Sequence, residues 1–281
     1  MIIRLILSVL VLCGTHAAFA ENAPPASLTK AIEIWKLLAV TPEQQNAFDR
    51  IKFSQATSFY VPLARYRPPT NQDDDTDGSI EIGQNLRSFG RDYRLLASPI
   101  DMSEKPSFET YLTVLMVLNL ANEYAHIRQY KNGSLADFYA LLNANKINEA
   151  CSLYALQQHA SDISMLQLAR LLEISLVGRG DVVGLNALRI ALEKNDVRDE
   201  FEEFREAIKS NTTNRINAAL SKIRDKRYAD NMAGLKFCTH AKMVPLPQTY
   251  INRATEMVDA VKGTASPPPL SSTSFPLTYN P

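Results

Sequence analysis

Residues Ser107 to Tyr130 read S-F-E-T-Y-L-T-V-L-M-V-L-N-L-A-N-E-Y-A-H-I-R-Q-Y, and this stretch decides the fold. Pro106 and Ser107 supply a stop and an N-cap, Glu109 falls in the first turn, and Asn132-Gly133 closes the segment, so one helix is predicted. From Tyr111 to Ala121 the residues are apolar on almost every face, interrupted only by Thr113 and Asn119. A helix with no polar side belongs in the middle of a protein. The apolar run of about 11 residues is too short for a bilayer, which needs about 20. Polar chemistry appears at its C-terminal end, with Asn122, Glu123, His126, Arg128 and Gln129. Glu123 and His126 are three apart and share a face.

Upstream, Ala26 to Leu38 has the spacing of an amphipathic helix, and Thr41-Pro42-Glu43 opens a second one expected to reach Phe53. Thr57 to Leu63 is rich in β-formers and reads as a strand that Pro62 confines to an edge or bulge. Ser79 to Gly83 alternates with period two and reads as its partner. Downstream the pattern is helical almost throughout: Ser134 to Leu142, Ile147 to His159, Asp162 to Val177, Asp181 to Lys194, Arg198 to Ser210, Thr213 to Asp225 and Gln248 to Lys262. The Glu200 to Lys209 charges alternate in sign, as on a solvated face. Residues 263–281 carry Pro and Ser without periodicity and read as a disordered or extended tail. The fold class expected is α+β, mostly α-helical, with a small sheet before a central buried helix.

Arg4, the apolar run Leu5 to Cys13 and the small residues of Ala18-Phe19-Ala20 have the form of a secretory signal peptide, residues 1–20. A periplasmic or secreted location follows. The chain has 30 basic and 30 acidic residues and zero formal net charge, which argues against nucleic acid as the main partner. No later apolar run is long enough to anchor it in a membrane. Two cysteines remain beyond the leader, Cys151 and Cys238. In an oxidising compartment they form one disulfide; the alternative is two buried thiols that pack as small hydrophobes.

Two stretches carry chemistry. Asp73, Asp75, Asp77 and Gly78 match the start of a calcium loop, where alternating carboxylates turn onto one hard cation and the glycine allows the turn. Gln84 stands where such a loop needs its bidentate Glu, and Arg67-Pro68-Pro69 precludes the preceding helix. A solvated hairpin tip with Asp77-Gly78 at the turn is the alternative. The second stretch is Asn122-Glu123-Tyr124-Ala125-His126. Zinc peptidases carry H-E-x-x-H on a helix, with two histidines binding the metal and the glutamate taking a proton from the bound water. Here the glutamate, the second histidine and their spacing are kept, while Asn122 replaces the first histidine.

These residues, with Asn148-Glu149-Ala150-Cys151-Ser152 about twenty residues further on, resemble the gluzincin group of zincin metallopeptidases. In that group a glutamate of an N-E-x-x-S-like motif is the third ligand. The resemblance covers roughly residues 57–177 of an expected domain over 21–262, with a helical C-terminal part over 178–262. It implies a zincin-like fold in which Ser79 to Gly83 lies as the edge strand that pairs with substrate. It also implies Glu123 as general base, and His126 and Glu149 as zinc ligands beside a degenerate Asn122. An amide oxygen is a poor zinc donor, and His159 or His240 would have to supply the lost ligand. The function expected is that of a metallopeptidase-like protein with a degenerate zinc site that binds a peptide or protein partner. The alternative is a helical interaction or scaffold protein without that ancestry.

Overall fold

The computed structural model describes residues 26–56, 63–69, 76–83, 86–210, 212–233 and 235–261. The expected leader, the Thr57 to Leu63 strand apart from Leu63, Asp73 and Asp75, and the Pro/Ser-rich tail fall outside them.

Helix α1 (Ala26–Leu38) buries Leu28, Ala31, Ile34, Trp35 and Leu38, the one-sided stripe that its spacing demands. Thr41 caps α2 (Pro42–Gln45) in a capping box with Gln44. This helix lasts a single turn, and the expected continuation to Phe53 does not form. Lys52–Gln55 is instead strand β1. Phe53 is taken up by pairing with a distant strand, and tertiary pairing outweighs local helix propensity. Strands β2 (Ala64–Arg67) and β3 (Ser79–Ile82) complete a sheet of order β1-β3-β2. β1 runs parallel and β2 antiparallel to β3, with both Phe53 and Tyr66 opposite Ile80. Ile80 and Ile82 are buried and Ser79 and Glu81 half-buried, the period-two pattern read from the sequence. Among the described residues Ser79–Ile82 is therefore the central strand, and β1 and β2 are the edges. The expected edge position of Ser79 to Gly83 is corrected accordingly.

Helix α3 (Leu86–Leu96) is an element that the sequence reading left out. It turns Phe89, Tyr93 and Leu96 toward the core at helical spacing. Helix α4 (Phe108–Lys131) is the predicted central one. Ser107 Oγ accepts the Thr110 N–H, Asn132 is the C-cap, and Tyr111, Val114, Leu118 and Ala121 are fully buried. Gly133 takes φ 82°, a conformation in which a Cβ is strained, and lets the chain turn into α5 (Ser134–Asn143).

The two helices expected over Ile147 to His159 and Asp162 to Val177 are one 32-residue helix, α6 (Ile147–Gly178). Asp162 reads as an N-cap because a short polar residue before an apolar run so often is one. It is instead buried in mid-helix, where its carboxylate accepts from Arg227 Nε at 3.0 Å. A cross-helix partner, invisible in local sequence, removes the break.

Helices α7 (Val182–Lys194), α8 (Arg198–Lys209), α9 (Thr213–Ala233) and α10 (Gln248–Val261) follow, with a 3₁₀ turn at Lys236–Cys238. Asp181 caps α7 by accepting from Gly184 N at 2.7 Å. α9 runs well past the expected Asp225. The protein is thus mostly helical with one small sheet, the fold class read from the sequence. A single core joins α1, the sheet, α4, α6, α7, α8 and α9. Two satellites lie at the start of α6, one of them around Cys151 and Cys238. These two cysteines are bonded, with Cα atoms 5.6 Å apart and a sequence separation of 87. Among the described residues no helix is long and apolar enough to cross a membrane.

Candidate functional site

The polar end of α4 lies between β2 on one side and α6 on the other. α4 and α6 run antiparallel. Ser164 Oγ donates to Ala121 O at 2.9 Å, and Gln129 Nε2 donates to Gln157 O at 2.8 Å. Between these two ties sit the residues of the N-E-x-x-H motif.

Asn122 Nδ2 donates to Ser161 Oγ at 2.9 Å, and that hydroxyl donates to Gln158 O at 2.8 Å. The amide at the degenerate ligand position is thus bound to a partner on α6. His126 Nδ1 lies 2.8 Å from Gln129 Oε1, and its Nε2 lies 3.4 Å from Gln158 Nε2. Because Gln129 uses its NH2 on Gln157 O, its Oε1 is left to accept, which places the imidazole proton on Nδ1. The Nε2 lone pair, the atom a metal would take, then faces the Gln158 amide NH2. Gln157 Nε2 extends the network to Ser134, donating to its carbonyl at 2.9 Å and its hydroxyl at 3.0 Å. The result is a chain of amides and hydroxyls that crosses α4, α6 and the start of α5. Buried amides without partners would cost about 1–3 kcal/mol each, which this network avoids.

Glu123 points the other way. Its side chain is 5% exposed, and Oε2 accepts the backbone N–H of Tyr66 at 2.6 Å. Burial pushes this carboxyl up from its ordinary range, against the pull of His126, the Tyr66 N–H and Arg65. β2 is an edge strand, and an edge presents a row of unpaired backbone groups. Glu123 satisfies one of them. Tyr66 in turn donates its hydroxyl to Asp77 O at 2.7 Å, and burial drives that phenol well above its usual range.

Asn122 and His126 therefore face α6, while Glu123 turns to β2, near enough for His126 to act on its carboxyl. Glu149 is placed elsewhere. His126 meets α6 at Gln158, and Glu149 precedes Gln158 by two and a half turns, about 13 Å along an ideal helix and on its opposite face. It is half-buried in the first turn of α6. Its motif neighbours serve a different contact: Asn148 Oδ1 accepts Lys242 N at 3.0 Å, and Ser152 Oγ accepts Val244 N at 3.1 Å. With the Cys151–Cys238 bond they hold the segment 241–247 onto α6.

His159 is buried toward Arg224 and Asp225, and burial lowers its pKa to about 4. His240 is exposed on the segment after the 3₁₀ turn. Among the described residues no group of three or more His, Cys, Asp and Glu side chains is placed to hold a metal. At the acidic hairpin, Asp77 pairs with Lys131 Nζ at 2.8 Å and Arg50 Nη1 at 3.9 Å. Asp73 and Asp75 lie outside the described residues.

No protein family, curated protein or solved structure matches the chain. The site must be read from its own atoms. Sequence reasoning singled out Gln129 but missed Gln157, Gln158, Ser161 and Ser164, which hold the motif residues from α6. The available signal was polar side chains recurring through the otherwise apolar middle of α6.

Proposed function

We propose that this chain is an exported, metallopeptidase-like binding protein whose degenerate zinc motif has become a structural tie and which takes a peptide or protein partner. The observation that carries the reading is the engagement of all three motif side chains within the fold. Asn122 is committed to Ser161, the Nε2 face of His126 to Gln158, and the Glu123 carboxylate to the Tyr66 N–H. A general base must face a water or substrate proton within hydrogen-bond reach, and Glu123 faces strand backbone. The periplasm or the extracellular space is the compartment where the Cys151–Cys238 bond persists. An acidic surface or nucleic acid is disfavoured as partner by the balanced charge.

The test is metal content and hydrolysis, measured on purified protein and on Asn122→His. The protein as isolated should hold no stoichiometric zinc and cleave no casein or peptide library. Asn122→His should bind zinc no better than the parent, because the third ligand is absent from the His126 side of α6. Stoichiometric zinc in the parent, or peptide cleavage abolished by Glu123→Gln, overturns the reading.

A further inference from the structure

The groove between α5 and α6 is lined by apolar side chains that stand apart from the main core. Phe138 and Leu141 of α5 and Ala150 and Leu153 of α6 form a separate buried cluster, flanked by Leu142 and Tyr154. α10 covers this cluster with Ala254, which is buried, and Tyr250, which is half-buried. The two are four residues apart, the spacing by which an amphipathic helix anchors in a groove. No described side chain of α10 belongs to the main core. A helix of 14 residues is marginal by itself in water, so α10 keeps its form only while such a groove receives it.

Polar clamps set its register. Arg253 Nη1 donates to both carboxylate oxygens of Asp137, at 3.0 and 2.9 Å. Glu256 accepts from Arg128 Nη2 through Oε1 and from Asn132 Nδ2 through Oε2, both at 2.7 Å. Asn132 Nδ2 also donates to Arg253 O at 2.8 Å. All of these contacts are exposed to solvent. Exposed ion pairs add little stability, but they select a partner and fix its direction. The groove thus reads Tyr-x-x-Arg-Ala-x-Glu, residues 250–256 of this chain.

A short hinge joins α10 to the rest. Cys238 is bonded to Cys151, and Asn148 and Ser152 of α6 accept the Lys242 and Val244 N–H groups. Beyond Val244 come Pro245-Leu246-Pro247, which lie in no regular element. Neither proline has an N–H to bond, and a proline-rich link is a semi-rigid spacer. The anchored segment ends where this hinge begins, so α10 can leave its groove without opening the main core.

We propose that the α5–α6 groove is a helix-docking surface that takes α10 of a second copy, by reciprocal exchange about the 245–247 hinge. Three observations carry this: the groove is separate from the core, its clamps match the chain's own 250–256 sequence, and the hinge follows directly on a fixed segment. Exchange of an identical element closes a two-fold dimer with contacts that each chain already has. Within one chain the closed form has the advantage of effective concentration. Exchange is therefore exposed by making the closed form misfit. The proposal is independent of the reading of the zinc motif.

Asp137→Arg sets two cations at the first clamp, and Arg253→Asp sets two carboxylates there. Each variant alone should sediment as a monomer with fast amide exchange in 248–256. Mixed in equal amounts, they should form a dimer with one chain of each, because α10 exchange then restores a cation–carboxylate pair at both clamps. Mixing should also slow amide exchange in 248–256 severalfold. A chain with both substitutions should be a monomer protected in 248–256. Arg128→Glu mixed with Glu256→Arg repeats the test at the second clamp, so that if one pair fails to fold the other decides. Mixtures that stay monomeric overturn the proposal. A mixed dimer whose 248–256 amides remain unprotected also overturns it, because another surface then joins the chains.

Discussion

The carboxylate of Glu123 and the backbone N–H of Tyr66 meet at 2.6 Å inside the protein, joining the central helix to an edge strand through one buried hydrogen bond. The geometry explains why a carboxylate sits in an apolar helix. It answers a backbone donor that β3 does not use. An orphaned buried N–H costs about as much as a lost hydrogen bond, so the pair belongs to the fold before it belongs to any chemistry.

Glu123→Gln keeps an acceptor for Tyr66 and removes the charge, whereas Glu123→Ala leaves the N–H unpaired. Burial raises the folded carboxyl above its ordinary value. The native state then holds the proton more tightly than the unfolded chain. Its contribution is complete below the unfolded carboxyl pKa and is lost as pH rises through the folded one. Urea melts at pH 7 should therefore find Glu123→Gln as stable as the parent or more so. Glu123→Ala should lose about 1–3 kcal/mol. A Gln variant less stable than the Ala variant contradicts the tie.

His159 bends the pH profile the other way. Its Nδ1 has no hydrogen-bond partner, and burial first, then Arg224, lowers its pKa to about 4, with Asp225 opposing. The folded state resists a proton that the unfolded chain accepts at about 6.5. Stability is full above that pH and falls as pH drops toward 4, by about 3 kcal/mol if this group acts alone. His159→Leu should flatten the profile between pH 6.5 and 4 and leave the pH 8 stability unchanged or higher. An unchanged acid limb in the variant shows that another group sets it.

Much of this fold is legible because its signals are local. Ser107 capping α4, Asp181 capping α7 and the apolar stripe of α1 need only a few neighbouring residues. The misses share a cause. Phe53 joins a strand because Ile80 waits for it, and Asp162 stays helical because Arg227 arrives from α9. In each, the deciding partner is far away in sequence. The site follows the same rule. The Glu123–His126 spacing guarantees a shared region of α4, while the contact of His126 depends on the register of α6, which puts Gln158 there and leaves Glu149 behind. A spacing along the chain fixes a helix face; it does not fix what another helix brings to it.

Gly78 supplies a test of the sheet. Its φ is +108°, and an added Cβ would stand 2.4 Å from Arg67 O and 2.9 Å from the Tyr66 ring. Both neighbours belong to β2, so relief requires the strand to move. Gly78→Ala should destabilise by roughly 1–3 kcal/mol and increase amide exchange in β2 and β3, including Tyr66. Exchange rates equal to those of the parent would show that the hairpin absorbs a Cβ without moving.

The Cys151–Cys238 bond closes a loop of 87 residues that includes most of α6 and all of α7, α8 and α9. In the chain-entropy account a loop of this size stabilises by roughly 4–5 kcal/mol. Its local role is narrower. Cys238 lies on a single 3₁₀ turn, and the segment after it is held to α6 by the Asn148 and Ser152 side chains. The main core, by contrast, packs through apolar side chains of α1, α4 and α6 without help from either cysteine. Replacing both with Ser should lower global stability by about the loop term and also raise amide exchange most in residues 235–247. The centre of α4, around Val117, should open only with global unfolding. If reduction accelerates exchange equally in 235–247 and at Val117 under conditions where the protein stays folded, the bond secures the whole core and the local role assigned to it here is wrong.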